Sequence, residues 1–243
     1  MKQTAIIIPC YNEATRLKPN DFLYFLKNFP NLHFFFINDG SKDNTLDILN
    51  SMAEKSSQCH PIDIPKNHGK AFAVFTGFNS AFKKDYAYIG FWDADLATPL
   101  KCIPKFLELL DAGPMSAVFG SRILRLGAKI KRSTMRHYLG RFFSSIVSNV
   151  LKLQTYDTQC GAKIFINNQD LKDAFETPFN TKWVFDVELI SRLQKLCRER
   201  KEDFENKIYE LPLEEWNDVA GSKIKFIDGL FALLDLVKIK FQK

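Results

Sequence analysis

No apolar run in this 243-residue chain approaches the roughly 18 residues that a membrane-spanning helix requires. The run from Thr4 to Ile8 stops at Pro9, too short for the apolar core of a signal peptide, so a cytoplasmic location is expected. Cysteine is sparse. Cys10, Cys59, Cys102, Cys160 and Cys197 are an odd number without a CxxC pair, which argues against a disulfide framework or structural zinc and for reduced thiols. The four histidines (His33, His60, His68, His137) contain no HExxH arrangement. None of the 11 glycines builds a GxGxxG turn, and Gly69-Lys70 lacks the upstream glycine of a P-loop. Dinucleotide dehydrogenases and P-loop nucleotidases are therefore disfavoured. One further absence is local: no acidic residue lies between Asp111 and Asp157.

That acid-free segment holds Arg122, Arg125, Lys129, Lys131, Arg132, Arg136, Arg141 and Lys152, while the formal charge of the whole chain is only +6. The basic character belongs to one stretch, which should meet something anionic. Hydrophobic residues at 46% and charged residues at 26% are ordinary for a globular domain.

The first half alternates strand and helix signals. Apolar runs at Ala5–Pro9, His33–Ile37, Ile62–Ile64, Tyr86–Trp92 and Ser116–Gly120 read as strands. Helices are expected after Asp43-Asn44, over Lys70–Phe82, and around Ile103, Phe106, Leu107 and Leu110. This alternation predicts an α/β fold with a mainly parallel central sheet flanked by helices. The second half should contain an amphipathic helix over Met135–Leu153, a returning strand at Ala162–Ile166, a helix over Val184–Leu196 and a strand at Lys207–Leu213. A last amphipathic helix is expected at 226–243, packed on the domain or on a membrane surface, with residues 1–225 forming a single domain.

Ligands of such sheets bind beyond the carboxyl ends of the strands. Tyr11-Asn12-Glu13, Asp39-Gly40-Ser41 and Asp93-Ala-Asp95 all follow apolar strands, so one crevice should collect them. An Asp-x-Asp triplet arises by chance in a chain of this composition; its position at a strand end is the signal. Two adjacent carboxylates repel unless a cation compensates them, and a hard divalent ion shared with a diphosphate does so. Helix capping is the plainer alternative for the same pair.

The ordered set Ile8-Pro-Cys-Tyr-Asn-Glu13, Asn38-Asp-Gly-Ser41 with Asp43-Asn-Thr45, Asn67-His-Gly-Lys70 and Asp93-Ala-Asp95 resembles family-two glycosyltransferases of the GT-A fold. Gly120-Ser-Arg122, Asp157-Thr-Gln-Cys-Gly-Ala-Lys163, Phe185-Asp-Val-Glu188, and Trp216 with Gly221-Ser-Lys223 are similar to the polyprenyl-phosphate sugar synthases. The dolichyl-phosphate glucose synthase branch is the nearer pattern, the mannose synthase branch the next. The resemblance implies that Pro9, Tyr11, Glu13, Asp39, Lys70 and Asp93 bind the nucleotide sugar. It implies that Asp93 and Asp95 hold Mg2+ or Mn2+, and that Arg122 and Arg136, or Arg132, bind the acceptor phosphate. Ala97 stands where mannose synthases carry a metal-binding Gln, Ala71 replaces a usual glycine, and Phe75 replaces a frequent Arg.

The expected reaction is transfer of a hexose from UDP-glucose or GDP-mannose to a polyprenyl phosphate with inversion. A phosphate nucleophile is already ionised and needs no general base, whereas a hydroxyl acceptor would need a carboxylate, for which Asp186 is the candidate. Asp157 is expected to organise the acceptor arginines. The expected partners are the nucleotide sugar, the polyprenyl phosphate, an anionic membrane surface met peripherally from the cytoplasmic face, and a separate membrane subunit; nucleic acid is not among them. A soluble transferase with a hydroxyl acceptor and a non-catalytic basic binding module are the competing readings.

Overall fold

Strands that are apolar without alternation must be covered on both faces, and this requirement sets the layers of the molecule. The computed structural model describes residues 2–131, 134–219, 232 and 234–239. Its strands are β1 (Thr4–Cys10), β2 (Leu32–Asp39), β3 (Cys59–Ile64), β4 (Tyr88–Trp92), β5 (Ala117–Ser121), β6 (Lys129–Lys131), β7 (Ala162–Ile166), β8 (Ile208–Pro212) and β9 (Glu215–Asn217). Its helices are α1 (Pro19–Leu26), α2 (Thr45–Lys55), α3 (Lys70–Ala81), α4 (Ile103–Ala112), α5 (Thr134–Leu151), α6 (Gln169–Ala174) and α7 (Phe185–Glu199).

Seven strands form one sheet in the order β3-β2-β1-β4-β7-β5-β8. Only β7 runs against its neighbours, pairing antiparallel with β4 and β5. The carboxyl ends of the other six strands therefore share one edge, and β7 starts at that edge. Strand order reverses between β1 and β4, which creates the crevice where ligands of such sheets bind. Outside the sheet, β6 and β9 form a short parallel ribbon.

Side chains alternate between two cores as the pleat demands. Ile6, Ile8, Phe34 and Phe36 face the core shared with Phe22, Leu49, Trp92 and Phe106, under α1, α2 and α4. Ala5, Ile7, Phe35 and Ile37 face the other core, which holds Val74, Phe78, Phe91, Phe165, Phe175 and Phe185. There Phe78 and Phe175 stack at 4.1 Å between ring centroids.

The expected α/β architecture is present, with short differences at the ends of elements. Helix α1, ribbon strands β6 and β9, and α6 have no counterpart in the apolar pattern because they are short. Helix α5 divides along its length. Val147 and Leu151 are buried in the core and Phe143 and Ile146 pack against it, whereas Tyr138, Leu139 and Phe142 are exposed. The expected boundary at 225 and most of 226–243 lie outside the described residues. Within 234–239, Leu236 and Ile239 are buried in the same core, as is Ala232. No helix among the described residues is long and apolar enough to cross a membrane.

Truncating Phe175 to Ala removes a fully buried ring and the stack on Phe78. Urea unfolding is expected to show a loss of about 3–5 kcal/mol for Phe175→Ala. A loss below about 1 kcal/mol would contradict this packing.

Candidate active site

Backbone hydrogen bonds first lock together the loops at the sheet edge. The Asn12 N–H donates to Ser41 Oγ, and the Lys42 N–H donates to Asn12 Oδ1 at 2.8 Å. The Glu13 N–H donates to Thr45 Oγ1, and the Ala14 N–H to Asp43 Oδ2. The motifs after β1 and β2 are thus two halves of one unit. Asn44 occupies the N-cap of α2, but the bonds come from Asp43, which accepts from the Thr45 N–H and hydroxyl.

Asp39 is almost wholly buried. Its Oδ1 accepts from the His68 N–H at 2.8 Å, and its Oδ2 from the Gly69 N–H at 2.7 Å and from Asn67 Nδ2. The carboxylate, expected from the resemblance to touch the nucleotide, shapes the loop that launches α3. Gly40 permits this packing: with φ of 62°, a Cβ there would lie 2.4 Å from the Asn67 nitrogen.

Lys70 opens α3 and donates to Asp93 Oδ1 at 2.6 Å. Its ammonium lies over the rings of Phe91 and Phe185. Burial opposes its charge, but Asp93, Asp186 and Asp95 together outweigh burial and hold its pKa above the usual lysine value. Asp93 continues β4 and lies on the backbone of Gly161. The Asp93 N–H donates to the Gly161 carbonyl at 2.9 Å, and a Cβ on Gly161 would fall 1.8 Å from Asp93 Oδ2. Asp95 accepts from the Ala97 N–H. Burial, and then the charge of Asp93, raise the pKa of Asp95 above the carboxylate norm. A pair of oxygen ligands in this condition fits a hard divalent cation, with a substrate diphosphate supplying further oxygens. Among the described residues, the one cluster of three metal-ligand types is elsewhere, at Asp170, Cys197 and Glu202, where Arg200 already neutralises Asp170.

Arg16 was not foreseen. It grips Glu13, with Nε donating to Oε2 at 2.8 Å, and it also feels the charges of Asp95 and Asp93. Its spacing of three residues from Glu13, within one turn, was the available signal. Pro9 sits in β1 opposite Ile37, and Tyr11 follows the strand at the same edge.

Arg122 and Asp157 form a buried two-pronged pair. Arg122 Nε donates to Oδ2 at 2.6 Å and Nη2 to Oδ1 at 2.8 Å, while its backbone N–H also reaches Oδ2. Trp216 supports the guanidinium at 5.4 Å. The Tyr156 and Asp157 N–H groups and the Thr155 hydroxyl in turn donate to Glu210. Arg122 is therefore fixed before any acceptor arrives. Arg132 and the side chain of Arg136 lie outside the described residues. Asp186, the candidate base for a hydroxyl acceptor, accepts from Lys163 Nζ at 2.6 Å.

Residues 5–173 match the glycosyl transferase family 2, and the chain belongs to that family. It is a glycosyltransferase. More particularly, it is 31% identical to a dolichyl-phosphate beta-glucosyltransferase of Trichomonas vaginalis, over 97% of this chain and 70% of that one. It is 30% identical to the dolichyl-phosphate beta-glucosyltransferase of Dictyostelium discoideum, over 98% of this chain and 74% of the relative. Among solved structures, glucosyl-3-phosphoglycerate synthase from Mycobacterium tuberculosis, in complex with Mn2+ and UDP-glucose, superposes with a TM-score of 0.69. The alignment covers 98% of this chain and 79% of that one at 13% identity, a likeness of GT-A fold.

The buried pair gives a stability test with a definite sign. Burial alone would raise the Asp157 pKa, but Arg122 outweighs it and depresses the value from 3.8 to about 2. A depressed carboxylate pKa contributes stability that is complete above the unfolded value and disappears as the pH falls through the folded one. The contribution is about 2 kcal/mol at neutral pH. Arg122→Met strands a buried carboxylate and is expected to cost about 3–5 kcal/mol at pH 7. Urea midpoints measured from pH 7 down to pH 2 should show this cost shrinking as Asp157 takes up a proton; a cost independent of pH would sink the assignment.

Proposed function

We propose that the protein transfers glucose from UDP-glucose to a polyprenyl phosphate at a membrane surface. The observation that carries this reading is the state of the carboxylates. Around Asp93 and Asp95, the other described carboxylates each have their own cation or backbone partners. Glu13 is held by Arg16, Asp157 by Arg122, Asp186 by Lys163, and Asp39 by the 67–69 loop. None of these is an uncommitted base. A hydroxyl acceptor must lose a proton as it attacks, whereas a phosphate monoester arrives ionised. The nearly full-length similarity to dolichyl-phosphate glucosyltransferases supports the same acceptor and favours glucose as the sugar.

In this mechanism Tyr11, Glu13 and Pro9 line the nucleotide side of the crevice, and Lys70 approaches the diphosphate from α3. Asp93 and Asp95 would hold Mn2+ or Mg2+, which supplies neutralisation of the charge that develops on the leaving diphosphate. Arg122, held rigid by Asp157, presents the rest of its guanidinium toward the acceptor phosphate, with Arg136 or Arg132 as further ligands. A phosphate oxygen then attacks the anomeric carbon from the face opposite the leaving group. The carbon–oxygen bond to the diphosphate breaks, and the configuration inverts.

The acceptor is a lipid in this reading, so the surface should meet a bilayer. Leu126 is fully exposed beside exposed Leu124 and Arg125, and Lys129 and Lys131 flank the buried Ile130. In α5, Phe142 is 65% exposed, with Tyr138 and Leu139 exposed nearby in sequence. Apolar side chains among basic ones suit an interfacial position on anionic lipid.

Two measurements test the proposal. Incubated with labelled UDP-glucose, a divalent ion and polyprenyl phosphate, the protein should move label into the organic phase, and Asp95→Asn should reduce this by about 100-fold or more. Label appearing only in water-soluble glycosides would refute the lipid acceptor. In flotation with vesicles containing anionic lipid, the parent protein should rise with the vesicles and Leu126→Asp/Phe142→Asp should remain at the bottom. Equal flotation of both would place membrane contact elsewhere.

A further inference from the structure

Lys163 is a fully buried lysine one strand away from the donor carboxylates. Its ammonium lies between two aromatic rings, 5.1 Å from the centroid of Phe91 and 5.4 Å from that of Phe119. It has two hydrogen-bond acceptors: the Cys160 carbonyl at 2.7 Å and Asp186 Oδ1 at 2.6 Å. A buried cation is costly unless it is paired and hydrogen-bonded, and a purely apolar residue of similar length would pack on these rings without that cost. The expense therefore calls for a function beyond packing.

The two acceptors lead to the two sides of the site. Cys160 precedes Gly161, whose carbonyl accepts from the Asp93 N–H and whose missing Cβ leaves room for the Asp93 carboxylate. Asp186 stands in the first turn of α7 next to Phe185, whose ring lies under the Lys70 ammonium at 5.9 Å, and Lys70 donates to Asp93. Both routes from Lys163 thus converge on Asp93. We infer that Lys163 is a positioning residue that fixes the Asp93 carboxylate from both directions, through the Cys160–Gly161 backbone on one side and through the Asp186–Phe185 turn and Lys70 on the other.

This inference rests on the transferase reading only for its kinetic arm. Lys163→Met keeps the length and removes the charge; Lys163→Met/Asp186→Asn also removes the stranded carboxylate. Amide hydrogen exchange followed by NMR should show the Asp93 amide losing about 10-fold protection in both variants, relative to Ile6–Ile8 in β1. Calorimetric titration with UDP and Mn2+ should show affinity falling by about 10-fold in both. In the transfer assay kcat should fall about 10–100-fold with little change in the KM for polyprenyl phosphate.

The double variant separates positioning from packing. Its thermal midpoint should recover toward that of the parent, because no unpaired charge remains buried, while the exchange and binding defects persist. Parental protection of Asp93 and parental nucleotide affinity in a folded double variant would overturn the inference. Should the parent itself transfer no glucose to lipid, the acceptor reading falls. The exchange measurement on Asp93 still decides the role of Lys163.

Discussion

Asp93 can lie against the backbone of Gly161 only because no Cβ stands at Gly161, where β7 begins beside the end of β4, and the rest of the site is arranged around that contact. A Cβ on Gly161 would overlap the Asp93 carboxylate, and a Cβ on Gly90 would fall 2.3 Å from the Lys163 carbonyl. Glycine at both positions lets an antiparallel strand slide in beside the parallel four. Because β7 runs the opposite way, its beginning and not its end reaches the ligand edge. Gly161 thereby meets Asp93, while Lys163 follows two residues on, inside the sheet opposite Phe91.

The second constraint is electrostatic. Carboxylates cluster here, and in a partly buried crevice each raises the cost of the next. The structure answers with individual counter-charges, so that Glu13, Asp157 and Asp186 each face a cation at hydrogen-bonding distance. Asp95 is the contrast: its pKa is raised, its side-chain bond is to a backbone N–H, and the cations near it are shared with other groups. A site that settles most of its carboxylates internally and leaves Asp95 in tension beside Asp93 would suit a divalent ion there, as the proposed function requires. The committed carboxylates are also what the proposed function draws on in choosing an acceptor without a proton to lose.

How much of this was legible depended on the range of the interaction. The strands β1, β2 and β4 were readable because their apolar runs are local and continuous, and Asp93 and Asp95 were readable because they end such a run. The pairing of Arg122 with Asp157 crosses 35 residues and that of Lys163 with Asp186 crosses 23; neither has a spacing signature, and only the first is anticipated, through the role given to Asp157 of organising the arginines. Asp39 shows the opposite difficulty. Its motif marks it as important, yet only the folded loop reveals that its oxygens serve the His68 and Gly69 N–H groups. Short elements such as β6 and β9 contain too few residues for periodicity to register.

The acid-free segment gains a finer meaning from these contacts. Arg122, its first basic residue, is neutralised by Asp157, the acid that ends it, and Arg141 stacks on Tyr156 at 3.7 Å while donating to that residue's carbonyl. These two cations turn inward, against Asp157 and Tyr156. Arg125, Lys129, Lys131 and Lys152 are exposed, and the first three accompany Leu124 and Leu126. Exposed leucines beside lysines gain nothing from water, whereas the interface of an anionic bilayer accommodates both. Under the proposed function a membrane is the better match for the outward half of this charge than a polyanion in solution, since nucleic acid would reward the lysines and leave the leucines in water.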